Sequence, residues 1–238
     1  MTEPTQPQKP TLGGLLREAA VEFSGFKHGV PYTLRSLLSA PGATVRRYVD
    51  HHDARITRPL RLFVLVLVVH FAVASLGGVD NLNAQAVEQM LKPLGIGASG
   101  FTAFFARYQT ALFALVLPMM MLATRIAWPR SGRTLAEHLI LNTYLFSAQM
   151  AILIPLTLAV AGLALAGFDP QISLLIGLMG SGLAIGYAAW MMATFFDGSW
   201  VWSAIRAIAI QIGMVFVYWT IVLITFVLLA RFTGAGVG

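Results

Sequence analysis

Several polar side chains that can carry chemistry lie within the apolar part of the sequence, and three of them follow a helical repeat. His138, Asn142 and Gln149 are spaced at +4 and +7, which places them within about 40° of one another on a helix. A polar stripe in lipid must face protein or water, because an unpaired polar group in hydrocarbon costs several kcal/mol. Glu137 lies beside this stripe, and Arg206 has a similar depth in a later segment. We therefore predict that Glu137 pairs with Arg206 in a layer that His138 joins.

Two further ionisable side chains extend this candidate layer. His70 lies near the middle of an earlier apolar segment, where an ionisable group faces the protein interior by default. Arg61 lies at the start of the same segment. The combined layer suits either a phosphate-bearing headgroup or a set of structural ion pairs. A haem on His70 would need a second axial ligand at the same depth, and His138 lies at a segment end instead, so we expect no haem and no other cofactor.

Metal and catalytic motifs are missing from the sequence. The chain has no cysteine, which excludes disulfides, thiolate catalysis and cysteine-ligated metals. The tripeptide HHD at 51–53, with His28, is the only grouping that resembles a metal site. Adjacent histidines on a helix point in different directions, and no pair at i and i+4 completes the set, so we expect no metal. Because H-E-x-x-H, G-x-S-x-G and P-loop motifs are also missing, we assign no catalytic residue.

The composition points to lipid as the solvent of the elements that carry these residues. Of 238 residues, 57% are hydrophobic and only 11% are charged, against about 25% charged residues in an average soluble domain. A soluble domain of this length has too much surface to hide so many apolar side chains. Runs of about 18 or more largely uncharged residues indicate membrane-spanning helices. The sequence therefore predicts an all-α polytopic membrane protein with five spans, at about 59–78, 108–127, 138–166, 171–196 and 203–230.

The chain divides into three parts on this interpretation. Residues 1–10 are polar and proline-rich, which is typical of a disordered tail. Residues 11–57 are predicted to form cytoplasmic or interfacial amphipathic helices, one of which ends at Pro41-Gly42 while the next runs from Ala43 to about His51. Residues 58–238 form the five-span transmembrane domain, in which 79–107 is the longest loop, with a short helix at about 84–91. Pro118 and Pro155 are expected to kink their spans.

The distribution of basic residues predicts the orientation of the chain. If the N-terminus is cytoplasmic, thirteen Lys and Arg residues lie on the inner side and three on the outer side. This bias predicts a protein of the bacterial inner membrane with its N-terminus inside and its C-terminus outside. The arginines between 46 and 61 then act as anchors near anionic lipid headgroups. Asp50 and Asp53 interrupt that basic run, and no nucleic-acid-binding fold accompanies it, so we expect no nucleic-acid partner.

The fourth predicted span contains small residues at the spacing of a helix-packing motif. Gly177 is followed at +4 by Ser181, and Gly182 at +4 by Gly186. Small side chains at this spacing allow the backbones of two membrane helices to approach closely. We therefore predict that this span lies at the centre of the bundle, with Gly182 and Gly186 against another span.

Two stretches resemble a bacterial membrane family of unknown function. They are HGVPYTLRSLLSAPGATVRRYVDHHDARITRPLRLF and AEHLILNTYLFSAQ, and the likeness covers about the first two-thirds of the chain. The matching residues are Thr33, Leu37, Leu38, Pro41, Gly42, Arg46, Tyr48, Arg58, Pro59, Glu137, His138 and Leu139. Members of that family commonly carry a cysteine zinc ribbon before the first block, which this sequence does not have. The five-span layout is also similar to the Yip family of trafficking-related membrane proteins, on topology alone. Neither resemblance implies an established activity.

Three functions remain open at the level of sequence. The favoured hypothesis is a non-enzymatic scaffold, assembly or regulatory subunit that contacts a membrane-protein partner or a second copy of itself. Such a protein would bury its polar residues in mutual hydrogen bonds and expose an apolar groove. A small-solute permease or channel would instead line a wet path with His70, Asn142, Gln149 and Thr220. An enzyme acting on lipid headgroups would present a wet pocket around Glu137 and His138.

Overall fold

The computed structural model describes residues 29–76, 98–167, 170–196 and 199–233. The regular structure of these residues is entirely α-helical, so the predicted all-α class is confirmed for this part of the chain. The predicted tail at 1–10, the amphipathic helix before residue 29 and the short helix at about 84–91 lie outside the described residues.

Two short helices precede the long ones, namely α1 (Val30–Ser39) and α2 (Pro41–His51). The prediction that Pro41-Gly42 ends one helix and that the next begins at Ala43 is wrong by two residues, because Pro41 itself starts α2. Proline is favoured at the first helical position, where its missing N–H leaves no partner unsatisfied. The C-cap of α2 is His52 in the left-handed conformation, with φ of 52°.

Five longer helices follow: α3 (Pro59–Leu76), α4 (Ala98–Ala127), α5 (Leu135–Leu165), α6 (Pro170–Phe195) and α7 (Trp200–Thr233). Three of the described helices are long and apolar enough to cross a membrane, over Leu135–Leu163, Leu175–Phe195 and Trp200–Leu228. Pro59–Ser75 and Leu115–Ala127 are shorter apolar helices. The chain therefore has the helices expected of a membrane protein, while the number of five spans stays a prediction.

The helix α4 starts ten residues before the predicted span. Residues 98–107 were predicted as loop because Arg107 interrupts the apolar run, but an arginine does not end a helix and no proline lies in this stretch. Pro118 lies inside α4 and Pro155 inside α5, and both helices continue on either side of their proline.

The central helix of the bundle is α5, which packs against α1, α2, α3, α4 and α6. Its inward face, formed by Leu141, Tyr144, Leu145 and Ala148, is fully buried. The helix α7 packs against α6 and α4. We call the end of the bundle where α5 begins and α6 ends the basal end, and α2 packs against both helices there.

Candidate functional site

The contact between α2 and α6 at the basal end requires a glycine. The backbone N–H of Gly42 donates to the hydroxyl of Thr194, with 3.2 Å between N and Oγ1. A Cβ added at Gly42 would lie 2.3 Å from the carbonyl carbon of Thr194 and 2.4 Å from the backbone nitrogen of Phe195. Because these are backbone atoms, a side chain at position 42 would force the two helices apart.

Hydroxyl groups of the long helices hold the segment around α1 and α2 in place. The Tyr187 hydroxyl donates to the carbonyl oxygen of Leu37 at 3.0 Å. The Tyr144 hydroxyl donates to the carbonyl oxygen of Thr57 at 2.6 Å, and the Thr57 N–H donates to the hydroxyl of Thr33 at 2.8 Å. The two tyrosine bonds join residues that precede α3 to α5 and α6, and the Thr57–Thr33 bond joins two residues that precede α3 to each other.

Arg133, in the turn between α4 and α5, connects three elements. Its guanidinium forms two hydrogen bonds with the carboxylate of Asp50 on α2 and one with Glu137 on α5, at 3.3 Å. Its Cζ lies 5.1 Å from the ring centroid of Phe195 at the end of α6, a cation–π contact. The hydrogen bond from Arg133 lowers the pKa of Asp50, and Asp50 in turn raises the pKa of Arg133. Arg133 thus links α2, α5 and α6.

Glu137 serves as the cap of α5. The backbone N–H of Thr134 donates to Oε2 of Glu137 at 2.6 Å, and the N–H of Glu137 is 3.3 Å from the Thr134 hydroxyl oxygen, which accepts it. This reciprocal pair is a capping box, which satisfies two backbone donors at a helix start. The predicted ion pair between Glu137 and Arg206 is wrong, since Glu137 bonds to Arg133 and Thr134 while Arg206 is exposed on α7.

A buried group of three polar side chains, which we call the polar triad, joins α4 to α5. It consists of Thr124, His138 and Asn142, all with 0% exposure. The Asn142 amide donates to the Thr124 hydroxyl at 2.9 Å and to the His138 carbonyl oxygen at 2.8 Å. His138 Nδ1 lies 3.1 Å from the same hydroxyl. The stripe predicted at 138 and 142 therefore faces protein, at a threonine that the prediction did not include.

Aromatic rings close the polar triad off from solvent. The ring of His138 lies 5.5 Å from that of Phe196, which stacks on Trp128 at 4.3 Å. Two atoms of the triad, His138 Nε2 and Asn142 Oδ1, have no hydrogen-bond partner among the described residues. The triad is therefore a fully buried, hydrogen-bonded cross-link between α4 and α5.

The remaining candidates of the predicted layer lie elsewhere. Gln149, 4% exposed, donates to the carbonyl oxygen of Ala184 at 2.9 Å and so joins α5 to α6. His70 is half-buried in α3, with its ring 6.0 Å from that of Phe71. Arg61 is exposed in the first turn of α3. No group of three or more histidine, aspartate or glutamate side chains able to hold a metal ion occurs within the described ranges.

Gly182 and Gly186, about 40° apart on α6, form a glycine face that does not pack against another helix among the described residues. A Cβ added at Gly177, Gly182 or Gly186 would meet no atom within 4 Å, and Ser181 is exposed. The predicted contact of Gly182 and Gly186 with another span is therefore wrong for the helices that the structure describes. The glycine that packs is Gly180, whose added Cβ would lie 3.0 Å from Leu153 of α5. Gly180 lies on the side of α6 opposite Gly182, because two residues turn a helix by about 200°.

The open side of α6 forms an apolar groove with α5. Its volume is about 560 Å³. The lining residues, which define what we call the α6 groove, are Ile152, Met179, Gly182, Leu183, Gly186, Tyr187 and Trp190. Because Gly182 and Gly186 have no side chains, another helix can approach the backbone of α6 closely in this groove.

Several residues of the basal end were not identified from the sequence. The T-x-x-E pattern at 134–137 is a recognised signal for a capping box, so this cap could have been predicted from the sequence. Thr124 and Arg133 carried no such signal, because their partners Asn142 and Asp50 lie 18 and 83 residues away.

Comparison with known proteins yields one match. The model of a family described as a protein of unknown function, DUF3667, matches residues 28–71, which contain α1, α2 and most of α3. No curated protein and no solved structure matches the chain. The match is consistent with the resemblance to an uncharacterised family. It does not bear on the zinc ribbon expected in other members of that family, nor on the likeness to the Yip family. Within the matched stretch, Thr33 and Leu37 are fully buried and Gly42 touches the backbone of α6.

Proposed function

We propose that the protein is a non-enzymatic scaffold, assembly or regulatory subunit of the bacterial inner membrane. It would cross the membrane five times, with its N-terminus inside and its C-terminus outside. The basic residues support this orientation, since the basal end carries Arg125 in the last turn of α4 and Arg130 and Arg133 between α4 and α5. The proposed partner is a transmembrane helix of another membrane protein or of a second copy.

The observation that carries the proposal is the contrast between the two sides of the α5–α6 pair. The polar side chains of α5 are used inside the fold, where Asn142 and Gln149 hydrogen-bond to α4 and α6. The α6 groove, by contrast, is open, apolar and floored by glycine. Between membrane helices, close packing at small residues is a main source of association. An unfilled glycine face therefore favours a protein that acts through helix–helix contacts.

The two alternative functions have less support from the geometry. A permease would use Asn142 and Gln149 to line a wet path, but these side chains are buried and bonded to neighbouring helices. An enzyme acting on headgroups would need water around His138, which is fully buried against Phe196.

Site-specific photo-crosslinking in native membranes tests the proposal. A benzophenone amino acid at Leu183, in the α6 groove, is expected to give one discrete adduct on illumination. The same probe at Phe216, exposed on α7, is the matched control and should give none. Mass spectrometry of the adduct identifies the partner, and an adduct of twice the mass of the chain identifies a second copy.

Filling the groove supplies the second arm of the experiment. The substitution Gly182→Leu is expected to abolish the adduct at Leu183 without lowering the melting temperature of the detergent-solubilised protein, because nothing lies within 4 Å of the new Cβ. An adduct that persists in the Gly182→Leu variant, or equal adducts from Leu183 and Phe216, would overturn the proposal.

A further inference from the structure

The stretch of α7 between residues 200 and 230 carries a single charge. Between residues 200 and 230 the sequence contains one charged side chain, that of Arg206. Only 11% of the apolar stretch of α7 is buried within the protein, and Arg206 belongs to the exposed part. On the same face of the helix, Trp202 and Val217 are also exposed and apolar. Arg206 therefore faces the bilayer, where an unpaired guanidinium is costly.

The position of Arg206 allows its guanidinium to reach the membrane surface. Its Cα lies six residues after Trp200, or about 9 Å along the axis at about 1.5 Å per residue. Helical side chains lean towards the N-terminus of their helix, and the N-terminus of α7 lies at the basal end. The side chain of Arg206 therefore extends back towards the surface, as long basic side chains do near membrane boundaries.

Trp202 occupies the same face one turn nearer to the surface. It precedes Arg206 by four residues, and 63% of its side chain is exposed. Tryptophan favours the headgroup level of a bilayer, where its ring is in an apolar layer and its N–H can donate to a polar group. Arg206 and Trp202 thus present a cation and a neutral donor side by side.

None of the described carboxylates pairs with Arg206. Glu137, the expected partner, is bonded to Arg133 and Thr134. Within the described ranges, the carboxylates that form ion pairs do so with Arg55 and Arg133, and none does so with Arg206. At the surface of a bilayer, the phosphate of an anionic lipid supplies a negative charge that attracts an exposed arginine.

We propose that Arg206 and Trp202 form a binding site for the phosphate of an anionic phospholipid. The guanidinium donates to the phosphate oxygens, and the indole lies against the glycerol region of the same lipid. The leaflet follows from the proposed orientation, which makes it the inner one, whereas the recognition of phosphate does not depend on that orientation. The lipid holds α7, the least buried of the three long apolar helices, at a defined depth.

Native mass spectrometry of the protein in detergent, titrated with phosphatidylglycerol, tests the site. Arg206→Leu removes the charge and leaves a side chain that suits lipid, so the variant is expected to fold. It should lose about fivefold in affinity for the tightest-bound phosphatidylglycerol, the effect of one basic residue near an anionic surface. Arg206→Lys keeps the charge and should retain most of the affinity. Arg130→Gln, an exposed arginine of the α4–α5 turn, is the matched control and should bind like the wild type.

Each other outcome has a definite meaning. Equal binding by wild type and Arg206→Leu, or an equal loss in Arg130→Gln, would overturn the site. A wild type that binds zwitterionic phosphatidylcholine as tightly as phosphatidylglycerol, or whose bound lipid is displaced by millimolar inorganic phosphate, would also contradict it. A separate measurement of orientation decides only the leaflet, so the two proposals fail independently.

Discussion

At the scale of the residue, Thr124 is the acceptor on which the buried contacts between α4 and α5 converge. Its hydroxyl donates within its own helix, to the carbonyl oxygens of Met120 at 2.8 Å and Met121 at 3.0 Å. The oxygen then accepts from Asn142, and from His138 when Nδ1 carries the proton. Removing this one oxygen therefore deprives two buried side chains of a partner.

The substitution Thr124→Val, which keeps the shape of the side chain, is expected to destabilise the solubilised protein by about 1–3 kcal/mol, the cost of leaving buried polar groups unsatisfied. The free energy of unfolding is measured by chemical denaturation in detergent. Thr157→Val is the control, because the Thr157 hydroxyl donates only to Leu153 of its own helix. A Thr124→Val variant as stable as Thr157→Val would show that the polar triad contributes nothing to stability.

Gly42 offers a second test at the scale of the residue. The change Gly42→Ala would place a Cβ 2.3 Å from the backbone of Thr194, and overpacking of this kind typically costs about 1–3 kcal/mol. Gly162→Ala in α5 is the matched control, since nothing lies within 4 Å of its added Cβ. We expect the melting temperature to fall for Gly42→Ala and to stay level or rise for Gly162→Ala; the same melting temperature for both would contradict the close contact of α2 with α6.

At the scale of the element, the sequence predicts which way a polar helix face points, because polar side chains avoid lipid. It does not predict which way an apolar face points, because apolar side chains suit lipid and protein alike. The faces of α5 with His138 and Asn142 could be predicted, because polar groups cannot face hydrocarbon. The faces of α6 could not, because an apolar helix is equally soluble in lipid and in the protein core. Gly180 and Gly182 therefore carry the same sequence signal, and only the fold decides that Gly180 packs.

The link between α2 and the α4–α5 turn predicts a dependence on pH. Arg133 lowers the pKa of Asp50 below its ordinary value of 3.8, so the pair stabilises the fold above that value. This contribution is lost as the pH falls through the lower pKa of the folded state. Because both side chains are partly exposed, we expect less than about 1 kcal/mol.

A double-mutant cycle of Asp50→Asn and Arg133→Gln measures that contribution. The coupling in the free energy of unfolding should be present at pH 7 and should shrink steadily as the pH is lowered below 3.8. The cycle of Asp50→Asn with Arg130→Gln is the control and should show no coupling. Coupling that is equal at pH 7 and at the lowest accessible pH would mean that the ion pair is not its source.

At the scale of the whole molecule, the orientation and the number of spans are testable together because the chain contains no cysteine. Single cysteines at Asn83 and Ser131 report on the two sides. If α3 and α4 both cross the membrane, an impermeant maleimide should label Asn83→Cys in cells whose outer membrane alone is permeable. Ser131→Cys should be labelled only after the inner membrane is opened. Protection of both Asn83→Cys and Ser131→Cys under the first condition would leave three spans in place of five.

The contact of Gly42 with Thr194 has a consequence for biosynthesis. The two residues are 152 positions apart, and α2 reaches the cytosol long before its docking surface on α6 exists. At about 5–20 residues per second the ribosome needs roughly 8–30 s to synthesise the intervening chain. During that interval the buried side of α2, with Pro41, Thr44 and Val45, has no partner in α6. The nascent chain therefore needs a chaperone or the bilayer surface to shield α2 until translation reaches the end of α6.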